Sequence, residues 1–465
     1  MPNFRSHNDD PVDADNLLGR REFVTSVCEV IRQCSPPKAM AVTGYWGTGK
    51  TSVLRQIQID LEPINAGGVT EVRDRGRDGR PIQTVWFDAW RYQQEGQPIV
   101  GLLHEIRAHF SRLAMLKEQS KKLTNVTIRG VLSSLDEVIK TISLGALQPK
   151  VSDLSTFGKE YESDRLHQAL PTEDLRKLLD EAIKAFLDER GILTLLIDDL
   201  DRCEGIGILR LLEGIKMYLS LPRCVVVFAM DQRQIEDALS VAFAAEEKQQ
   251  AGIGLPRGYT ARDRAREYME KICQDVYRVP LATHAQKSRL LVQLVDDLEI
   301  DRWASCRAEL ERALRTFDCL PANPRKIKVL ANRLAFVLSS GTWTRASSPE
   351  PLAVNDPNAT SLSRDVVLLL VVSIFYCYHR PVYEQLEKNP AFITDVIAWS
   401  LETGVKPEDT RYLPLRDVVR SRTESNELPV NPSDSHVFRL HQCLDTLSTV
   451  TMVELEALFA SQEHR

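Results

Sequence analysis

The segment from Gly44 to Thr51, Gly-Tyr-Trp-Gly-Thr-Gly-Lys-Thr, has the glycines, lysine and hydroxyl of a phosphate-binding loop. Its glycines allow successive backbone N–H groups to turn toward an anion, and the helix that follows adds the positive end of its dipole. Lys50 is expected to reach the β- and γ-phosphates of a nucleotide, and the Thr51 hydroxyl to ligate Mg²⁺. The predicted nucleotide-binding residues are Gly44, Tyr45, Trp46, Gly47, Thr48, Gly49, Lys50, Thr51 and Ser52.

Two carboxylates follow an apolar run farther along the chain. A magnesium–phosphate site needs a carboxylate at the end of a neighbouring strand, and Asp198 and Asp199 come directly after apolar residues 193–197. Asp198 is predicted to hold Mg²⁺ through water, and Asp199 to polarise the attacking water as a catalytic residue. A second apolar run, 224–230, leads to Asp231, which would either sense the γ-phosphate or cap the next helix.

Two further charged residues follow the first pair of carboxylates. Asp201 could cap the next helix, and Arg202 could pair with Asp201 or contact phosphate.

The residues around Asp231 bear on the choice of nucleotide. Guanine specificity normally requires an Asn-Lys-x-Asp element near this strand, whereas residues 229–232 read Ala-Met-Asp-Gln. ATP is therefore favoured over GTP as the nucleotide, with Mg²⁺ as its metal.

These side chains require an α/β core to position them. Residues 39–43 form a short apolar run that leads into the Gly-rich turn, and residues 51–61 have apolar positions at helical spacing. The runs 193–197 and 224–230 are apolar on both faces, which is typical of central strands in a parallel sheet covered by helices. After Pro280 the pattern is helical. The sequence predicts an α/β P-loop fold with a parallel central sheet, followed by an all-helical C-terminal half.

Shifts in composition divide the chain further. Stretches rich in Ser, Pro and Asn predict linkers or long loops between the helical segments. The predicted divisions are a flexible arm at 1–16, a P-loop NTPase core at 17–281 with a helical insertion at about 100–190, a helical lid at 282–341, a linker at 342–364 and a helical C-terminal domain at 365–465.

The overall composition excludes several classes of protein. The chain has 465 residues with 59 Lys or Arg against 65 Asp or Glu, and a net charge of −6 argues against wholesale coating of nucleic acid or of an anionic membrane. Its nine cysteines lie singly, without a CxxC pair, which suits a reducing compartment. The longest apolar run, 366–378, is well short of the ~20 residues that cross a bilayer. We therefore expect a cytoplasmic protein without a membrane segment.

A series of segments in the same order resembles the KAP family of P-loop NTPases, within the additional-strand class that includes the AAA+ and STAND proteins. Besides the phosphate loop, they are Leu-Leu-Gly-Arg-Arg at 17–21, Trp-Phe-Asp-Ala-Trp-Arg-Tyr at 86–92, Ile-Asp-Asp-Leu-Asp-Arg-Cys at 197–203, Phe-Ala-Met-Asp at 228–231, Glu-Tyr-Met-Glu-Lys-Ile-Cys at 267–273 and Asn-Pro-Arg-Lys-Ile-Lys at 323–328. The second segment has Asp88 and Arg91 where the family's form has Asn and Lys. The resemblance covers roughly residues 17–334.

The resemblance implies roles for three further residues. Gly19 and Arg20 would lie near the adenine, and Arg325 would occupy the sensor position on the helical lid as a further catalytic residue. Many family members carry transmembrane helices between the phosphate loop and the acidic strand, but the charged interval at about 100–190 predicts a soluble, bacterial-type member here. Bacterial members are associated with phage exclusion and antiviral defence.

Three functions are open on the sequence alone: a Mg²⁺-dependent ATPase that drives conformational change or assembly, a nucleotide-gated oligomeric scaffold that recruits an effector protein, and a nucleic-acid-dependent ATPase. The basic stretches Arg257–Arg278 and Arg325–Arg333 fit solvated helix faces, a homo-oligomer contact in which one arginine reaches a neighbour's γ-phosphate, or a nucleic-acid groove. Trp86, Trp90 and Tyr92 are predicted as core aromatics, with partner binding as the alternative.

Overall fold

A computed structural model describes two compact units of the chain. The sheet unit comprises residues 21–44 and 50–279, and the helical unit comprises 1–20, 45–49 and 280–465. The predicted domain boundaries stay a prediction, and the linker at 342–364 lies almost entirely outside the described residues. The described residues are 6–7, 18–62, 81–95, 97–119, 132–133, 135–136, 139–140, 171–187, 190–249, 260–300, 302–340, 364–394 and 396.

The sheet unit is built on five parallel strands in the order β2-β3-β4-β1-β5. They are β1 (Lys38–Thr43), β2 (Ile82–Asp88), β3 (Ile192–Asp198), β4 (Cys224–Met230) and β5 (Asp275–Arg278). β4 lies between β1, which leads into the phosphate loop, and β3. The predicted parallel central sheet is therefore confirmed, and the carboxyl ends of all five strands meet at one edge.

Helices pack on both faces of this sheet. Successive side chains of a strand point to opposite faces, so Met40 and Val42 join the core with α1 and α2, whereas Ala41 joins the core with the other helices. Every residue of β3 and β4 is buried, which accounts for their continuous apolar sequences. The helices of this unit are α1 (Arg21–Gln33), α2 (Lys50–Leu61), α3 (Pro98–Gln119), α4 (Pro171–Leu187), α5 (Gly205–Tyr218), α6 (Gln232–Gln249) and α7 (Ala261–Ile272).

A partly buried carboxyl group follows the end of α2 and contacts the edge strand β2. The Glu62 carboxylate accepts a hydrogen bond from the backbone N–H of Thr84, and Gln58 Nε2 donates to Thr84 Oγ1 at 3.2 Å. Burial raises the pKa of Glu62 to about 7, against the lowering effect of the Thr84 bonds. Because the folded-state pKa exceeds the unfolded value of 4.5, protonated Glu62 stabilises the fold below pH 4.5, and this contribution is lost as the pH rises through 7.

Glu62→Gln is expected to raise the stability of the protein at pH 8 by about 1 to 3 kcal/mol, since each pKa unit corresponds to ~1.4 kcal/mol. Glutamine is neutral at every pH and keeps an oxygen that can accept the Thr84 N–H. The advantage of the variant should shrink as the pH falls from 8 toward 4.5, because the wild-type carboxyl is protonated in the folded state below pH 7 and begins to be protonated in the unfolded state near pH 4.5. Thermal unfolding at pH 5 and pH 8 measures this, and an equal difference at both pH values would contradict it.

The helical unit has a separate apolar core. The longest apolar run of the sequence, 366–378, lies in α11 (Arg364–Tyr378), and Val367 and Leu370 in that run are fully buried. The described residues of this unit form no strand, so the predicted helical C-terminal half is confirmed for them. Among the described residues, no helix has both the length and the apolar character needed to cross a bilayer. The helices are α8 (His284–Asp296), α9 (Trp303–Thr316), α10 (Pro324–Ser339), α11 (Arg364–Tyr378) and α12 (Arg380–Lys388).

The predicted flexible arm at 1–16 is described at residues 6 and 7 alone, and there the chain is held. The backbone N–H of His7 donates to Asn332 Oδ1 at 2.8 Å, and Asn332 Nδ2 donates back to the His7 carbonyl at 3.0 Å. The His7 ring also lies 2.6 Å from the Leu294 carbonyl oxygen. Distant residues therefore supply the partners of His7, and the flexibility of the arm stays a prediction.

Candidate nucleotide-binding site

The phosphate loop joins β1 to α2. At its start, the Gly44 N–H donates to the Met230 carbonyl at 3.2 Å. Farther along, the Tyr45 carbonyl accepts two bonds from Thr48, from its N–H at 3.2 Å and from its Oγ1 at 2.7 Å. Gly47 and Gly49 have φ values of 78° and 88°, a left-handed conformation that favours glycine. The loop is therefore a closed turn that requires the glycines of the motif.

Lys50, the first residue of α2, has a buried side chain in an ion pair. Its Nζ lies 3.0 Å from Asp201 Oδ2 and donates to the Gly44 carbonyl at 3.1 Å. Asp201 Oδ2 also accepts the backbone N–H of Asp231 at 2.9 Å. Of the roles left open for Asp201, helix capping is wrong, because the N-cap of α5 is Glu204. Asp201 instead competes with any phosphate for the Lys50 ammonium group.

Asp198 ends β3 beside the start of α2. One oxygen of its carboxylate bonds with the Thr51 hydroxyl, whereas Oδ1 is buried and accepts no hydrogen bond from any described residue. Burial, and after it the charge of Asp199, raises the pKa of Asp198 to about 6. A buried acceptor without a donor is suited to a cation. Thr51 and Asp198 therefore fit the predicted Mg²⁺ site.

Asp199 has φ 54° in the left-handed region, which is unusual for a residue other than glycine. Its Oδ1 lies 3.0 Å from Arg202 Nε. Burial raises its pKa, while the charge of Arg202 lowers it. Arg202 thus pairs with Asp199, and the alternative pairing with Asp201 is wrong. Left-handed backbone of this kind is often found at functional sites, which fits the predicted catalytic role of Asp199.

Asp231 follows β4 and is buried. Its Oδ1 accepts the backbone N–H of Arg233 at 3.2 Å, the bond expected of a residue that caps the start of α6. Burial raises the pKa of Asp231, and the charge of Lys50 lowers it. The geometry includes the capping contact, while the sensing of a γ-phosphate stays a prediction.

Arg325 lies in the first turn of α10, next to the phosphate loop. Its guanidinium carbon is 4.5 Å from the centroid of the Trp46 ring, a cation–π contact, and Trp46 is 44% exposed. Asn323 Nδ2 donates to the Trp46 carbonyl at 3.0 Å. Sequence reasoning gave Asn323 no role, although Asn followed by Pro is a signal for a helix start. The predicted sensor function of Arg325 stays a prediction.

Gly19 and Arg20 precede α1. Gly19 has φ 63°, and a Cβ built on it would lie 2.2 Å from Gln286 Nε2, so this position requires glycine. Arg20 is buried, its Nε and Nη2 atoms have no hydrogen-bond partner among the described residues, and burial lowers its pKa to about 10. Gln286, the residue that a Cβ on Gly19 would meet, is not one of the predicted nucleotide-binding residues. A place near the adenine therefore stays a prediction for both residues.

The aromatic residues at the end of β2 and in the turn that follows it do not all belong to the core. The Tyr92 ring stacks on Phe87 with centroids 5.0 Å apart, and its hydroxyl donates to Glu105 at 2.7 Å. Trp86 is covered by the Arg55 guanidinium at 3.6 Å. Trp90 is 47% exposed, so the core prediction is wrong for this residue. It follows the last strand residue in a short 3₁₀ turn that directs its side chain outward.

The basic stretch around α7 has local partners. Arg262 pairs with Asp237 at 3.1 Å, and Arg266 lies 3.9 Å from Glu236. The Arg264 guanidinium lies 4.2 Å from the centroid of Phe243. These contacts fit the solvated-face interpretation, and a role for any of these arginines on a neighbouring protomer stays a prediction.

Comparisons with known proteins place the chain in a family. A family model described as the KAP family P-loop domain matches residues 20–340, more than half of the chain. A comparison with curated proteins gave no match. A solved structure described as "Structure of Drosophila ORC bound to DNA" aligns over 90% of this chain and 84% of its own at 13% identity, but its TM-score of 0.35 is too low to support an argument. The chain therefore belongs to the KAP family of P-loop proteins, in agreement with its parallel sheet and its phosphate loop.

Proposed function

We propose that the protein is a Mg²⁺-dependent ATPase. The observation that carries the proposal is the arrangement at the start of α2, where the Lys50 ammonium group and the Thr51–Asp198 pair follow directly on the glycine loop. A phosphate loop binds a nucleoside triphosphate with one positive charge for the phosphates and with one hydroxyl–carboxylate pair for the metal. ATP is preferred to GTP because the chain has no guanine-recognition element near Asp231.

Each residue has a defined task in this proposal. The loop N–H groups and Lys50 bind the β- and γ-phosphates, and Thr51 and Asp198 hold Mg²⁺, which when bound neutralises charge on the phosphates. Mg²⁺ is commonly held by one or two protein ligands together with phosphate oxygens, so this small ligand set is sufficient. Asp199 accepts a hydrogen bond from the attacking water and orients it toward the γ-phosphorus.

The ion pairs within the site imply an exchange of partners. Asp201 forms an ion pair with Lys50, and Arg202 forms one with Asp199. Phosphate oxygens would replace Asp201 at the lysine, whereas Asp199 pairs with Arg202 through Oδ1 and would present its other oxygen to the attacking water. Nucleotide binding is therefore expected to move Asp201 away from Lys50, which provides a means of coupling nucleotide state to conformational change or assembly.

A nucleotide-gated oligomeric scaffold is the second candidate, since the same residues could bind ATP without rapid turnover. The strongest support for a scaffold is the ion pair between Asp199 and Arg202. A predicted catalytic carboxylate that is bound to an arginine is less able to activate water, which would slow hydrolysis. A homo-oligomer is proposed from the basic stretches, where one arginine would reach a neighbour's γ-phosphate, and the scaffold would recruit an effector protein. A role in antiviral defence is carried over from the family resemblance. A nucleic-acid-dependent ATPase ranks below both, because the chain has a net charge of −6.

One experiment separates the two main candidates. Phosphate release and the mass from size-exclusion chromatography with light scattering are measured in parallel, with Mg²⁺–ATP and with a non-hydrolysable analogue. The ATPase proposal predicts phosphate release and a difference in assembly between ATP and the analogue. A scaffold predicts the same assembly with either ligand and no release. Stimulation of release by DNA or RNA that fades with added salt would favour the third candidate.

A further inference from the structure

Asn323 uses both ends of its side-chain amide between the phosphate loop and α10. Its Nδ2 donates to the Trp46 carbonyl at 3.0 Å, while its Oδ1 accepts the backbone N–H groups of Arg325 at 3.1 Å and Lys326 at 3.3 Å. The side chain is 1% exposed. Asn323 is therefore the N-cap of α10 and, through the same amide, a partner of the loop.

The bond to Trp46 has a consequence for the following peptide N–H. In a trans peptide, the carbonyl of one residue and the N–H of the next point in opposite directions. Holding the Trp46 oxygen therefore fixes the direction of the Gly47 N–H, one of the loop amides available to phosphate. A loop that binds an anion through its backbone depends on this orientation.

Gly47 is fitted closely against the same amide. A Cβ at this position would lie 2.5 Å from Asn323 Oδ1 and 2.6 Å from Nδ2, so no other residue allows this approach without displacement. On its far side, α10 contacts α11, since the Tyr378 hydroxyl donates to the Lys326 carbonyl at 2.6 Å. The contacts thus run from the loop through Asn323 to the first turn of α10 and on to the end of α11.

We propose that Asn323 is a positioning residue for nucleotide binding, which sets the orientation of the Trp46–Gly47 peptide and ties the phosphate loop to the first turn of α10. Its effect on affinity rests on the proposed function, whereas its effect on the loop backbone does not. Asn323 touches no reacting atom in this proposal and acts through the loop.

Two variants separate the loop contact from the helix cap. Asn323→Asp and Asn323→Ser both keep an oxygen that caps α10. Neither reproduces the bond to Trp46, because aspartate has no N–H to donate and serine is too short to reach the loop. Serine also controls for the negative charge that aspartate places near phosphate. Asn323→Ala, which loses both contacts, is the comparison for loss of the cap.

Hydrogen exchange of the protein without added nucleotide is measured first. In the Asp and Ser variants, we expect exchange of peptides covering residues 45–49 to be faster by about fivefold, the equivalent of one ordinary hydrogen bond, with Pro324–Ser339 protected as in the wild type. In the Ala variant, both segments should exchange faster. Unchanged exchange at 45–49 in the Asp and Ser variants would overturn the proposed loop contact.

Mg²⁺–ATP binding is measured second, on the same proteins. We expect Kd to rise by about fivefold or more in both the Asp and Ser variants. The Ser variant, which buries no charge, should keep a midpoint of thermal unfolding closer to the wild type than the Ala variant does. A wild-type Kd in the variants would overturn the role of Asn323 in nucleotide binding. If the wild type itself binds no ATP, the proposed function is rejected, and the exchange result still decides whether Asn323 orients the loop.

Discussion

Lys50→Ala is expected to weaken the binding of Mg²⁺–ATP by about 10- to 150-fold, because a charge-assisted hydrogen bond contributes ~1.5–3 kcal/mol and Lys50 supplies the side-chain ammonium of the loop. The side chain is already positioned for this contact, since it is buried beside the Gly44 carbonyl at the base of the loop. Isothermal titration calorimetry with ATP and Mg²⁺ measures the change. Binding within about threefold of the wild type would contradict the assignment.

This substitution needs a matched control, because it also removes the partner of Asp201. A buried carboxylate left without its cation destabilises a protein by about 3–5 kcal/mol, so Lys50→Ala alone could lose binding through unfolding. The double variant Lys50→Ala/Asp201→Asn removes both charges of the pair, and asparagine still accepts the Asp231 N–H. We expect the double variant to melt closer to the wild type than Lys50→Ala does, and to bind ATP as poorly.

Asp199→Asn is expected to slow phosphate release by about 10²- to 10⁴-fold, the usual contribution of a positioned general base, while ATP binding changes little. Asparagine is the suitable replacement because it tolerates the left-handed conformation at φ 54°, whereas most other residues would add strain. Single-turnover measurements with ATP in the wild type and the variant separate binding from hydrolysis.

Arg202 provides the control for this second prediction. Asp199→Asn also breaks the ion pair with Arg202, and this alone could change the local structure. Arg202→Gln removes the pair but leaves the carboxylate in place, so it should retain most of the hydrolysis that Asp199→Asn loses. An equal loss in both variants would assign the effect to the ion pair, and unchanged hydrolysis in Asp199→Asn would exclude Asp199 as the catalytic carboxylate.

The parts of the fold that follow from local pattern were predictable. The apolar run 224–230 coincides with β4. Its ends could be read from the sequence because charged residues flank it, Arg223 before the strand and Asp231 after it. The phosphate loop is equally local, since its glycines, lysine and hydroxyl lie within one turn and the helix after it. The acidic residues at the end of β3 could be placed from their position after a continuous apolar run.

The parts that depend on distant partners could not be predicted. Asn323 and Trp46 are 277 residues apart, and His7 and Asn332 are 325 apart, so no spacing rule connects them. Asp201 and Arg202 had several possible partners nearby, and the choice depends on the left-handed backbone at Asp199. Trp90 was predicted to be buried as an aromatic residue of the second strand and its turn, but the turn after β2 directs it outward.

Phosphate release from ATP by the purified wild type, with and without Mg²⁺ and beside the Lys50→Ala/Asp201→Asn variant, tests most directly whether this site is an ATPase. We expect release that requires Mg²⁺ and is lost in the double variant. Equal release by the two proteins, or tight ATP binding by the wild type with no release, would contradict hydrolysis at this site.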